Sequence, residues 1–186
     1  MRVLGPPQDA YYTLLVPNNC PTCPGAGYNL TEAHVQLFFT EPCQISVNVA
    51  IVGAVEISPG CRAPNPFDIK CPPTTYVLND GGTLNACIDF SLPLPAACRI
   101  NGPAFLLIEF NNSDCPSFRP AFCGPASCYN CTHYNIYPGS PPGRDDLCVV
   151  LTPFGLSGVI MYVDANCCQP TPTLPGSWGL VKTLYR

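Results

Sequence analysis

Fourteen cysteines spread along 186 residues constrain this chain more than any other feature. They are Cys20, Cys23, Cys43, Cys61, Cys71, Cys87, Cys98, Cys115, Cys123, Cys128, Cys131, Cys148, Cys167 and Cys168. At about 7.5 % of the residues they approach the density of a small disulfide scaffold. The even number permits complete pairing, and the wide spacing suits staples between segments better than ligands of one centre. Cys167 and Cys168 are adjacent, and neighbouring side chains of an extended segment point to opposite faces, so they are expected to bond to two different partners. Zinc is the alternative. Cys20-Pro-Thr-Cys23 and Cys128-Tyr-Asn-Cys131 are both C-x2-C pairs able to offer two thiolates to a tetrahedral ion. Their separation far exceeds that of a zinc ribbon, however, and the sequence supplies only His34 and His133 as nitrogen ligands. The stretch Cys128-Tyr-Asn-Cys131-Thr-His133 also misses the haem-attachment spacing by one position. Seven disulfides are therefore expected, and with them an oxidising, secreted or cell-surface location. Met1 to Pro7 lacks the apolar stretch of a secretory signal, which points to a processed or truncated form.

Composition narrows the class. Hydrophobic residues make up 47 % of the chain, too many for disorder, while charged residues are only 11 %. The longest apolar runs stop short of the roughly 20 residues of a membrane helix, so no span is expected. With 8 Lys and Arg against 12 Asp and Glu, a net charge of -4 and no basic stripe, the chain has no electrostatic footprint for nucleic acid.

Helical periodicity is almost absent among 24 prolines and 15 glycines. Alternation is common instead: Val35, Leu37 and Phe39 share one face of an extended segment, and His34 and Gln36 share the other. Further strands are expected over Tyr11 to Val16, Cys43 to Val49, Ala54 to Ile57, Thr75 to Leu78, Ala86 to Phe90, Ala104 to Phe110, Leu147 to Leu151 and Val159 to Val163. Turn formers such as Asn79-Asp80-Gly81-Gly82 separate them, as do long proline-rich loops over Pro59 to Pro73 and Pro116 to Pro142. The expected fold is an all-β, disulfide-rich antiparallel sandwich of jelly-roll or Greek-key type. Its parts would be an N-terminal arm or first strand over 1–18, the stapled sandwich over 19–169, and a proline-led tail over 170–186.

Few residues invite chemistry. His34 lies mid-strand on a polar face, and His133 sits beside cysteines in a loop, so a nucleophile–base–acid triad has little to work with. Asp89, Glu109, Asp145, Asp146 and Asp164 are carboxylates that a fold can bring together in the manner of a glycosidase, but no spacing selects a pair. No phosphate loop, serine-hydrolase elbow or zinc-protease motif is present. The chain is read as non-enzymatic and free of cofactors, with Asp145 and Asp146, or alternatively Asn79 and Asp80, as weak calcium candidates. Tyr129, Tyr134, Tyr137 and Trp178 are candidates for stacking on sugars. Asn29, Asn111 and Asn130 stand in N-glycosylation triplets.

Ile100 to Phe110, the cysteine-rich loops that follow, and Gly155 to Cys168 resemble a cysteine-rich β-sandwich module of uncharacterised secreted bacterial proteins. Glu41 to Val47 is similar to that module's earlier half. The resemblance spans roughly residues 30 to 168; it implies extracellular display and no established activity.

Before the first cysteine, Tyr11, Tyr12, Leu14 and Val16 belong to an alternating, uncharged segment that either opens the chain's own sandwich or adds as an arm to a neighbour's sheet. The apolar tail from Gly176 to Arg186 offers the same choice. Head-to-tail exchange of such a strand builds a filament. The expected function is an extracellular structural or adhesive subunit that self-associates; the alternative is a carbohydrate-binding module with a glycan partner.

Overall fold

Alternation of apolar and polar residues builds eleven antiparallel strands among the described residues. The computed structural model describes residues 9–17, 27–115, 120–124, 129–137, 143–148 and 159–167. The strands are β1 (Asp9–Leu15), β2 (Tyr28–Phe38), β3 (Gln44–Ser58), β4 (Cys61–Asn79), β5 (Cys87–Pro93), β6 (Arg99–Ile100), β7 (Ala104–Ser113), β8 (Ala121–Phe122), β9 (His133–Tyr137), β10 (Gly143–Asp146) and β11 (Met161–Cys167). Six form one sheet in the order β10-β9-β1-β7-β3-β4, and β11-β2-β5 form the second, with β6 and β8 also paired to β2. The fold is thus a disulfide-rich β-sandwich, as the sequence implies.

The main core lies between the sheets. Val35 and Leu37 of β2, with Phe39 just beyond it, face Val47, Val49 and Ile51 of β3 and Leu106, Ile108 and Phe110 of β7, all essentially inaccessible to solvent. Each such side chain contributes about 1.5–3 kcal/mol on burial. A second cluster of Tyr12, Val52, Ala63, Phe105 and Tyr134 packs separately. Odd and even residues of β3 are therefore both buried from Val49 to Gly53, which removes the polar half of the alternation there. That explains a difference from the sequence reading: Cys43 to Val49 and Ala54 to Ile57 belong to a single 15-residue strand.

The segment from Pro59 to Pro73 is a second difference. It is not a loop: after a tight turn at Gly60 (φ 76°) the chain returns as β4, nineteen residues long, at the edge of the larger sheet. Prolines are tolerated there because an edge strand has one side without ladder partners and because the pairing is bulged. Val52 pairs with Ile69 and Gly53 with Asn65, so Pro66, Phe67 and Asp68 form the bulge. Within Pro116 to Pro142, likewise read as a loop, lie β8 and β9. Of the expected strand over Leu147 to Leu151, Leu147 and Cys148 form a helical turn and the rest lies outside the described residues. No helix among the described residues is long and apolar enough to cross a membrane.

Segment Tyr11 to Leu15 is the chain's own first strand. It pairs with β7 on one side and β9 on the other, with Tyr12 opposite both Leu107 and Tyr134. Tyr11 and Tyr12 are buried, Leu14 is half-buried, and Val16 beyond the strand is exposed. The pairing groups that an exchanging arm would offer are used within the molecule.

Four disulfides join described residues: Cys43–Cys115, Cys61–Cys131, Cys71–Cys98 and Cys87–Cys123. Cys148 is also disulfide-bonded. Cys71–Cys98 ties β4 of the larger sheet to the turn before β6 of the smaller one, while Cys61–Cys131 fastens the β3–β4 hairpin near its turn to the segment before β9. The second C-x2-C pair is therefore not a zinc half-site, because Cys131 is bonded to Cys61. Cys20, Cys23, Cys128, Cys168 and the side chain of Cys167 lie outside the described residues.

Candidate functional site

Strand β2 runs through the middle of the smaller sheet, so its polar face lies between two neighbours. Alternation turns Ala33, Val35 and Leu37 inward and leaves Glu32, His34 and Gln36 on the opposite face. Register then decides what they meet. On β11, Tyr162 is opposite His34 and Asp164 opposite Glu32; on β5, Ser91 is opposite His34 and Asp89 opposite Gln36. His34 gathers this set. Its Nδ1 lies 3.3 Å from Asp89 Oδ2, and its Nε2 lies 3.2 Å from Asp164 Oδ2 and 3.8 Å from Glu32 Oε2. Its ring stacks on Tyr162 with centroids 4.4 Å apart and planes 3° from parallel. The His34 side chain retains only 11 % exposure under this cover.

Tyr162 donates its hydroxyl to Asp89 Oδ2 at 3.3 Å. Its pKa is raised, first by desolvation and then by the charge and hydrogen bond of Asp89, with Asp164 and Glu32 adding to the field. Between Asp164 and Ala165 the pairing with β2 slips by one residue, and the Thr31 hydroxyl donates to the Asp164 carbonyl at 3.2 Å. Bulges of this kind re-aim the neighbouring side chain. The ligand atoms of Glu32, His34 and Asp164 all lie within 4.8 Å of one another.

Of the five carboxylates singled out in the sequence, the structure thus brings together Asp89 and Asp164. Glu109 lies on β7, where it accepts from Asn48 Nδ2 at 3.0 Å. Asp146 accepts backbone N–H groups of Cys131 and Cys148, so both of its oxygens are engaged, and the side chain of Asp145 lies outside the described residues. Asn79 and Asp80 accept from the amides of Gly81 and Gly82, whose positive φ angles suit glycine. Glu32 and Tyr162 are the site residues that sequence reasoning missed. The signal available for Glu32 was its place on the same polar face as His34.

The aromatic candidates separate clearly. Tyr129 is 75 % exposed, whereas Tyr134 is buried against Phe105 in the second cluster and has no face free for a sugar. Trp178 and the side chain of Tyr137 lie outside the described residues. Asn29 and Asn130 are exposed, while Asn111 accepts a hydrogen bond from Asn48. His133 is close to Thr13, and burial lowers its pKa against the opposing pull of Asp146. An apolar cleft of about 400 Å³, lined by residues including Leu15, Val16, Tyr28, Leu30 and Met161, opens at one end of the sandwich beside Tyr162.

Other exposed hydrophobic side chains lie along the β3–β4 hairpin and its bulge. Phe67 is 94 % exposed, and Val55, Ile57, Ile69 and Val77 are each at least 45 % exposed. Asn65 Oδ1 accepts from the Phe67 amide, and Lys70 pairs with Asp68 at 2.8 Å, which holds the bulge in shape. The other cysteine–carboxylate grouping, Cys43, Asp114 and Cys115, contains a disulfide and is not a ligand set.

Neither the curated proteins nor the solved structures include a match to this chain. Residues 6–172 match a family described as a domain of unknown function, DUF7451, and the chain belongs to that family.

Proposed function

We propose that this protein is an extracellular structural or adhesive subunit, without enzymatic activity, that associates with further copies of itself. The observation that carries the reading is the edge strand β4, which among the described residues pairs only with β3 and displays Ile69 and Val77 on a hairpin whose bulge exposes Phe67. Edge strands of monomeric proteins are usually blunted with charge. In β4 the prolines at 64, 66, 72 and 73 blunt the first two thirds, leaving Thr74 to Asn79 as a proline-free stretch whose outer ladder edge has no partner strand among the described residues. A second copy is the occupant that this edge suits, by addition of a strand. The disulfides support an oxidising environment and hence display outside the cell. The finer expectation, a module of secreted bacterial proteins, rests on the strand and loop patterns quoted above.

Negative-stain electron microscopy and sedimentation velocity on the unreduced protein test this. Concentration-dependent oligomers or filaments are expected, and Val77→Lys should dissolve them without unfolding the monomer. A protein that stays monomeric at several hundred micromolar would refute the proposal. Tyr129 is the exposed aromatic that keeps carbohydrate binding as the second reading, and a glycan array with Tyr129→Ala as control tests it.

A further inference from the structure

We infer that the outer face of the smaller sheet holds a divalent transition-metal site, with Glu32, His34 Nε2 and Asp164 as ligands and Asp89 as the residue that orients the imidazole. Glu32 and Asp164 are directly opposite each other across β2 and β11, a like-charge pair that is destabilising unless a cation stands between them. His34 is the group nearest to both carboxylates, and it has only two nitrogens to offer. Ionised carboxylates only accept hydrogen bonds, so an ion on Nε2 leaves the Nδ1 proton to Asp89. Asp89 Oδ2 also takes the hydroxyl of Tyr162, which fixes it in place against the stacked imidazole. Nε2 is the ring nitrogen that faces Asp164 and Glu32, and its lone pair is the one available to that ion.

Three acceptors facing one another are the donor set of a metal ion. Bonds of about 2.1 Å place neighbouring ligands about 3.0 Å apart in an octahedron and about 3.4 Å apart in a tetrahedron. The separations from Nε2 are 3.2 Å to Asp164 and 3.8 Å to Glu32, so small side-chain adjustments close the set. A carboxylate on the remote nitrogen of a metal-ligating histidine is the usual outer-shell arrangement. The bulge after Asp164, with Thr31 bonded to its carbonyl, supplies a local reason for that carboxylate to point at the histidine. One nitrogen and two carboxylates favour zinc, manganese, iron or nickel over calcium, which takes oxygen ligands. Cysteine plays no part, so the site is compatible with a fully oxidised protein.

The test uses the full-length, oxidised protein without a polyhistidine tag. Calorimetric titration with Zn2+ should show one site per chain. Co2+ should give a d–d spectrum of nitrogen and oxygen donors with no thiolate charge-transfer band. His34→Gln should weaken binding by at least 100-fold, Glu32→Gln and Asp164→Asn by at least tenfold each, and Asp89→Asn by about 10–100-fold through loss of orientation. All four side chains lie on the outer face, so the unfolding midpoints in chelator should remain near that of the wild type. Should His34→Gln fail to fold, Asp164→Asn carries the test. Absence of saturable binding up to millimolar Zn2+ would mean that a second proton on His34 neutralises the cluster, and would overturn the assignment. Binding unchanged in Asp164→Asn, or a thiolate band with Co2+, would overturn it equally.

Discussion

Tyr11 is the most informative single residue to change. It is 1 % exposed, its ring packs 4.6 Å from that of Phe122 and 6.0 Å from that of Phe110, and its hydroxyl donates to the buried carboxylate of Asp9 at 3.2 Å. Truncating a buried aromatic to alanine costs about 3–5 kcal/mol. The lost hydrogen bond adds about 1 kcal/mol, held to that level because Asp9 keeps its bond from Asn135 Nδ2 at 2.8 Å. Tyr11→Ala should therefore lose about 5 kcal/mol and Tyr11→Phe about 1 kcal/mol. Equilibrium unfolding of the oxidised protein in guanidinium, followed by circular dichroism, reads this directly. With a slope of about 5 kcal/mol per molar, the midpoints should fall by about 1 M and about 0.2 M respectively. A Tyr11→Ala midpoint within about 0.2 M of the wild type would refute the reasoning. It would mean that β1 is not part of the chain's own cooperative unit and serves instead as an arm exchanged between subunits.

Three further outcomes follow from the same structure. Burial, reinforced by the charge of Glu109, pushes the Tyr12 hydroxyl up to about 12. The folded state then favours the neutral phenol, and roughly 3 kcal/mol of stability present below pH 10 should be lost as pH rises toward 12; equal loss in Tyr12→Phe would contradict this. His133 is shifted the other way by burial, so its contribution is complete above about pH 6.5 and declines as pH falls toward its lowered value, a dependence that His133→Gln should remove from guanidinium midpoints measured between pH 7.5 and 5. Replacing both Cys71 and Cys98 with alanine opens a loop of sequence separation 27 and should cost about 3.5 kcal/mol, seen as a fall of about 7–14 °C in Tm; a fall under 3 °C would show that the bridge adds little beyond the packing around it.

Legibility in the sequence followed the burial pattern. Strands β2 and β7 bury one face over most of their length, so Val35, Leu37 and Phe39, or Leu106, Ile108 and Phe110, announce them by alternation. Strand β3 reads as two segments because Ala50, Ile51 and Val52 are all buried and no polar residue marks the outer face there. Strand β4 was hidden by its prolines, whose cost depends on whether a strand is central or at an edge, a fact of tertiary structure. At the candidate site, the composition of each face was readable but the register was not. His34 and Glu32 share a strand face by simple counting, whereas Asp164 and Asp89 arrive from 130 and 55 residues away from His34 through pairings that no local pattern encodes.

The four disulfides described above are interlaced, since Cys43–Cys115 and Cys61–Cys131 each begin before the other has closed, and Cys71–Cys98 is nested within both. Tension applied across the chain passes through the bridge from Cys43 to Cys115 and bypasses the intervening sequence separation of 72. About 240 Å of contour length is thereby removed from what pulling can release. Strands β3 to β7 all lie between these two cysteines and are consequently shielded from stretching even if their ladders shear. A chain wired in this way keeps that span closed under load and re-forms it from a covalently closed state once the load is gone.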